Sequence, residues 1–251
     1  MKYKLQEILS LTLDMAEAMI KCGSEVSRVE DSIRIICNSY KVKYIEAYAT
    51  NSLIIVTLRN NDEAVTESRR IKYINTNLSM LEEVNSLSRE ICANNVGREI
   101  VLKKLDSIKS HNHYLLICFG NLLAAFSFTL FFKGNVLDAI ISSFIALILY
   151  LSDHYLNSKN RSKIIYNFMN SFIIGIIAVI FSKFITTIHF DKIIIGDIML
   201  LIPGLSMFIS IYDIFKGDTI SGTIRFIEGM FLALSIALGI LLSLLLGGLI
   251  W

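Results

Sequence analysis

Apolar residues recur at helical spacing through Leu5, Ile8, Leu9, Leu13, Ala16, Met19 and Ile20, and Gly23 is a fitting stop. The next stripe, Val26, Val29, Ile33, Ile36 and Tyr40, predicts a second helix with Ser24 as its cap. The pattern then changes. Lys41–Ala49 and Leu53–Leu58 are rich in β-branched and aromatic residues, with Asn51-Ser52 and Asn60-Asn61-Asp62 as turns and Arg69–Ile74 as a third candidate strand. Asn77–Ala93 and Arg98–Ile108 return to helical periodicity. A small α+β domain over 1–111 is expected, with a core modest enough that docking on the membrane part or on another subunit is expected too.

Beyond it, five stretches are long and apolar enough for a bilayer crossing of about 20 residues: about 114–132, 136–153, 164–182, 193–212 and 227–250. The expected fold is therefore an α-helical integral membrane protein with five transmembrane helices, residues 112–251, behind an N-terminal cytoplasmic α+β domain. Arg98, Lys103, Lys104 and Lys109 precede the first span, and Lys159, Arg161, Lys163, Lys216 and Arg225 fall on the same side. Lys133, Lys183 and Lys192 fall on the other, so the positive-inside rule puts the N-terminal domain in the cytoplasm and the C-terminus outside.

Composition sharpens this division. The chain has 251 residues, 54% hydrophobic and 18% charged, with a mean hydropathy of +0.58. Soluble chains carry about 25% charge, so a wholly soluble or disordered protein is excluded. Residues 1–111 hold 16 of the 24 Lys and Arg and 15 of the 22 Asp and Glu. A net charge of +2 without a basic block gives no reason to expect nucleic acid. Cys22, Cys37, Cys92 and Cys118 lie far apart and read as reduced structural thiols. Gln6, Glu7, Asp14 and Glu17 interrupt any leader-like apolar stretch. No nucleophile elbow, phosphate loop or zinc motif occurs, so no cofactor and no metal is expected.

The candidate chemistry lies in two regions. The single proline stands mid-span in Pro203-Gly204, where it breaks a helix, and broken helices at membrane depth line cavities or binding sites in transporters. Asp138 and Asp197 are carboxylates within spans, either functional or reaching for the outer interface. Asp213, Gly217, Asp218, Gly222, Arg225 and Glu228 follow the break, with Arg225 and Glu228 spaced to pair. The second region is Gly23-Ser24-Glu25-Val26-Ser27-Arg28-Val29-Glu30, where Glu25 with Arg28 and Glu30 with Arg34 have the spacing of a salt-bridged helix face. His111 and His113 stand at the membrane entry.

These stretches together resemble the threonine/serine exporter family (ThrE/YjjP-like). Its G-[AS]-E-x-x-R-V-E helix start is matched by Gly23, Ser24, Glu25, Arg28, Val29 and Glu30, and Glu83–Glu90 is also similar. Its proline-glycine span with a downstream D-x-x-x-G-D-x-x-x-G-x-x-R pattern is matched by Pro203-Gly204 and by Asp213, Gly217, Asp218, Gly222 and Arg225. The resemblance, over about Leu13 to Trp251, implies export of small amino acids such as threonine and serine, driven by the proton-motive force across a bacterial cell membrane. Full-length exporters carry a second membrane half. This chain resembles the larger subunit of two-component members, one associated with succinate, which implies a small all-helical membrane partner and leaves homo-oligomers open.

The leading expectation is thus a non-enzymatic exporter subunit. Asp138, Asp197, Pro203, Gly204, Asp213, Gly217, Asp218, Arg225 and Glu228 form its substrate or ion pathway, and Gly23, Glu25, Arg28 and Glu30 its cytoplasmic motif. The alternatives are a membrane-anchored enzyme using Glu25 as acid/base and a regulatory subunit gating a partner transporter.

Overall fold

A computed structural model describes residues 4–61, 63–108, 114–156 and 162–250. Asp62, Lys109, His111, His113, Lys159, Arg161 and Trp251 lie outside the described residues. The protein is mostly helical and divides into two compact units, Met1–His111 with Phe208–Arg225, and Asn112–Met207 with Phe226–Trp251.

In the first unit, α1 (Leu5–Lys21) and α2 (Val26–Ser39) follow the predicted stripes. The strands β1 (Tyr44–Ala49), β2 (Leu53–Asn60) and β3 (Glu63–Arg70) form an antiparallel meander in the order β1-β2-β3. The helices α3 (Leu78–Asn94) and α4 (Arg98–Ser107) follow, and Asn77 caps α3 by accepting from the Met80 N–H at 3.0 Å. Ile54, Val56 and Leu58 of β2 are buried under α1, while α2 packs on β1. Because α1 lies between the sheet and α3 and α4, it is buried almost all round, which explains the density of its apolar positions.

Two expectations are corrected here. The third strand is Glu63–Arg70, not Arg69–Ile74. Its residues are mostly polar because its inward side meets α1 through charge: Asp14 binds Arg69 at 3.2 Å and Arg98 of α4 at 2.7 Å, while Ser10 and Gln6 bind Glu67. Asn60 pairs with Glu63 between β2 and β3, and Asn61 takes φ +50°. Ser24 does not cap α2: Glu25 occupies the N-cap position, and the Ser24 hydroxyl is buried without a hydrogen bond.

The second unit contains α5 (Tyr114–Phe131), α6 (Val136–Leu156), α7 (Lys163–Phe184), α8 (Phe190–Ile198), the start of α9 (Gly204–Phe215) and most of α10 (Thr219–Ile250). Among the described residues, four helices are long and apolar enough to cross a membrane: α5, α6, α7 and α10. The expected span 193–212 is not a single helix. It divides into α8 and α9 around Pro203, which lacks an N–H and so cannot continue the ladder. Outward-facing Leu115, Phe131, Ile165 and Leu245 leave large apolar surface exposed, as a lipid-facing helix requires.

The α7–α10 crossing depends on small residues. A Cβ on Gly239 would lie 2.1 Å from Ser171 Oγ and 2.5 Å from the Phe168 carbonyl, and one on Gly175 would lie 1.8 Å from Ser243 Oγ. Gly248, farther along α10, meets nothing within 4 Å. Gly239→Leu should therefore destabilise the purified protein by about 1–3 kcal/mol or more, measured by thermal unfolding in detergent, whereas Gly248→Leu should leave the transition unmoved. In the first unit, burial pushes the Cys37 thiol up to about 11, with Thr12 opposing and Cys92 adding slightly. At pH 8 only about one Cys37 in a thousand is then thiolate, the reactive form, so maleimide should modify it only after unfolding.

Candidate functional site

Two turns with the same chemistry bring the two sequence motifs into one place. The first ends α1: Gly23 takes φ +89°, the Ser24 N–H donates to the Met19 carbonyl at 3.1 Å, and the Gly23 N–H to Ile20 at 2.9 Å. The second ends α9: Gly217 takes φ +98°, the Asp218 N–H donates to the Asp213 carbonyl at 2.9 Å, and the Gly217 N–H to Ile214 at 3.1 Å. Both are helix ends closed by a left-handed glycine. Gly222, one turn into α10, packs so tightly that a Cβ would lie 2.6 Å from the Ser210 carbonyl. That close approach folds α10 back on α9.

Arg225 is thereby carried, 7% exposed, into the first unit. Its guanidinium donates to Asn51 Oδ1 at 2.6 Å and to the Ser24 carbonyl at 3.4 Å, and stands 3.4 Å from Asp213 Oδ2. Asn51, at the tip of the β1–β2 hairpin, also donates through Nδ2 to the Ser221 carbonyl at 3.0 Å. Asp213 is fully buried, and its carboxylate faces the Arg225 guanidinium and the Val26 N–H at the start of α2. Glu25 and Asp218 are the other carboxylates whose fields reach it. Glu30 accepts from the Ala49 N–H at 2.9 Å and pairs with Arg34 at 3.6 Å. Burial pushes its carboxyl up, with the Ala49 bond opposing and Asp218 adding. Arg28 is exposed.

A second cluster sits in the other unit. The short helix α8 packs among α5, α6 and α7, and Ile193 and Ile194 join Ile141, Ile145, Ile174 and Ala178 in an apolar cluster. Gly196 lies against α5 so closely that a Cβ would lie 2.1 Å from Thr129 Oγ1. The neighbouring Asp197 is fully buried: Oδ1 accepts from Ser142 of α6 at 2.7 Å, while Oδ2 has no partner. Thr129 Oγ1 is also buried and unpartnered. Asp197 does not reach for an interface.

Asp138 differs. It closes a reciprocal capping box with Asn135 at 2.7 and 2.9 Å, and its carboxylate also receives the His189 N–H at 2.9 Å and faces His189 Nδ1 at 3.0 Å. That is a structural use of both oxygens. Pro203 and Gly204 form the break, where the Ile198 carbonyl accepts from Leu201 and Ile202. Glu228 is exposed on α10, while Arg225 turns to Asp213 and Asn51. Asn51, Ser142 and Thr129 were not singled out from sequence. Asn51 was legible only as turn material, and the two hydroxyls had no signal beyond lying in apolar spans. Among the described residues no group of three metal-ligating side chains forms.

Removing the Arg225 charge leaves a buried carboxylate uncompensated, a loss of about 3–5 kcal/mol in typical cases. Arg225→Met should destabilise the protein toward that size in urea or thermal unfolding, and adding Asp213→Leu should restore part of the loss. Equal destabilisation by the single and double variants would show the pair to be energetically idle.

The family model described as "Putative threonine/serine exporter" (ThrE) matches residues 10–247. No curated protein and no solved structure matches the chain.

Proposed function

The chain belongs to the threonine/serine exporter family, a family of membrane transporters, and from that premise we propose that it is one subunit of a proton-motive-force-driven exporter of small amino acids or small carboxylates in a bacterial cell membrane. Residues 1–108 with the α9–α10 turn form its cytoplasmic part, α8 and α9 together make a fifth, interrupted crossing, and the C-terminus lies outside. A separate small membrane subunit completes the pathway.

The observation that supports this reading is Asp197. A carboxylate taken fully out of water is stable as a charge only with partners for its lone pairs, and otherwise takes up a proton. Asp197 has one hydroxyl partner and one bare oxygen, at the end of a short helix just before the break at Pro203. A group whose protonation decides whether it is tolerated in its site can exchange a proton with whichever side the pathway opens to. Asp138, held by its capping box and by His189, has no such vacancy, so Asp197 alone carries the proton in this proposal.

In proteoliposomes holding the chain and its partner, Asp197→Asn should abolish pH-gradient-driven efflux of threonine or serine. Ser142→Ala should slow it by about tenfold or less, the effect of one hydrogen bond. Asp138→Asn should lower stability and leave the coupling intact. Efflux by Asp197→Asn that still follows the pH gradient would remove Asp197 from the mechanism.

A further inference from the structure

We infer that Thr129 of α5 is the second hydroxyl donor of Asp197, joining Ser142 when the carboxylate is charged, and is thus a positioning residue for the proton. The inference rests on the reading of Asp197 as the proton carrier and adds the group that decides how readily the proton leaves.

Thr129 forgoes the bond that a hydroxyl in an apolar helix ordinarily makes. Serine and threonine there donate to a carbonyl three or four residues back, since their surroundings offer no other acceptor. Five serines of this unit do so at 2.6–3.0 Å: Ser143 to Ala139, Ser171 to Phe168, Ser182 to Val179, Ser235 to Leu232 and Ser243 to Ile240. Thr129 is fully buried, yet its Oγ1 has no partner, its own helix included. Leaving a buried hydroxyl unbonded is expensive, so something must repay it in another state of the site.

What the hydroxyl faces points to the state. The Thr129 methyl is turned to Gly134, where a Cβ would lie 2.7 Å from Cγ2, and the hydroxyl is turned to Gly196 of α8, where a Cβ would lie 2.1 Å from Oγ1. The residue after Gly196 is Asp197, whose Oδ1 accepts from Ser142 of α6 and whose Oδ2 is bare. The helices α5 and α6 run side by side here, tied by Ser143 donating to the Leu122 carbonyl at 3.2 Å. An unused donor and an unused acceptor therefore stand at one glycine contact, and a local approach of α8 to α5 joins them.

The chemistry fixes the sign. A hydroxyl bond to a carboxylate is about twice as strong as one between neutral groups, so Thr129 helps charged Asp197 more than it helps the acid. The titratable groups of the surrounding elements are occupied elsewhere. Asp138 is held by Asn135 and His189, Asp191 pairs with Lys192 at 3.0 Å, Lys133 follows α5, and Lys183 stands in the last turn of α7. Burial and the Ser142 bond are what act on the Asp197 carboxyl.

The test is infrared difference spectroscopy of the purified full-length chain in nanodiscs, titrated from about pH 4 to about pH 9. Its readout is the carboxylic-acid C=O band that Asp197→Asn removes. Thr129→Val, which keeps the shape and loses the hydroxyl, should raise the midpoint of that band by about half a pH unit or more, the effect of one hydrogen bond. Thr129→Ala, which cannot crowd Gly196, should do the same, and Thr129→Ser should restore the original midpoint. Ser182→Ala, the loss of a back-bonded hydroxyl, should leave it unmoved. A midpoint unchanged or lowered in both Thr129→Val and Thr129→Ala, or a band at full height to about pH 9, would overturn the inference and leave Asp197 in place. A spectrum in which Asp197→Asn removes no band would take the proton-carrier reading down with it. Midpoints that move as expected while efflux ignores the pH gradient would keep the Thr129 bond and sink the exporter reading.

Discussion

A carboxylate placed in an apolar helix cluster either finds enough donors to stay charged or gives up its charge, and in the second unit Asp197 finds one donor. Asp197 reaches the interior because α8 is only nine residues long and carries Gly196, whose missing side chain lets the helix approach Thr129 on α5. Ile193 and Ile194 seal the same helix into apolar packing. The result is a dry surround with one hydroxyl bond to the carboxylate and one empty oxygen. A fully satisfied aspartate there would be a structural residue, as Asp138 is with its capping box and its bonds from His189. The contrast between the two acids is made entirely by what surrounds them.

The same logic operates at Arg225, with the sign reversed. A guanidinium at 7% exposure needs acceptors, and the chain supplies them from three separate segments: the Ser24 carbonyl between α1 and α2, the Asn51 amide on the β1–β2 hairpin, and Asp213 at the end of α9. Two glycines with positive φ make this geometry accessible, because each lets a helix end in a tight left-handed turn that a side chain would strain. Gly222 then lets α10 fold back beside α9. Two motifs nearly 190 residues apart in sequence are therefore halves of one arrangement, and each glycine in them has a geometric reason to be glycine.

Much of this was legible beforehand. The stripes of α1 and α2 are strong because both helices bury one face or more, and the four long spans follow from hydropathy alone. The break at Pro203-Gly204 was readable because a proline removes a bond wherever it stands. The third strand was misplaced because Glu63–Arg70 is held to α1 by charge, through Arg69 with Asp14 and through Glu67 with Ser10, and so lacks the apolar alternation that announces a half-buried strand. Ser24 looked like a cap because Ser precedes a helical stripe, yet the turn at Gly23 places it one residue too early and turns its carbonyl to Arg225. The expected Arg225–Glu228 pairing rested on helical spacing, but the spacing of neighbours on one helix says nothing of an acid on another. Asn51 shows the limit most clearly: a turn asparagine is ordinary in sequence, and only the fold of the α9–α10 turn makes it the short-bond partner of a buried cation.

The two clusters hold their carboxylates in opposite ways. Asp197 lies in dry packing with one hydroxyl partner, which is why we propose it as the proton carrier. Asp213 instead keeps a compensating cation, Arg225, beside it. A second donor on the bare Asp197 oxygen would favour its charged form, as Arg225 does for Asp213.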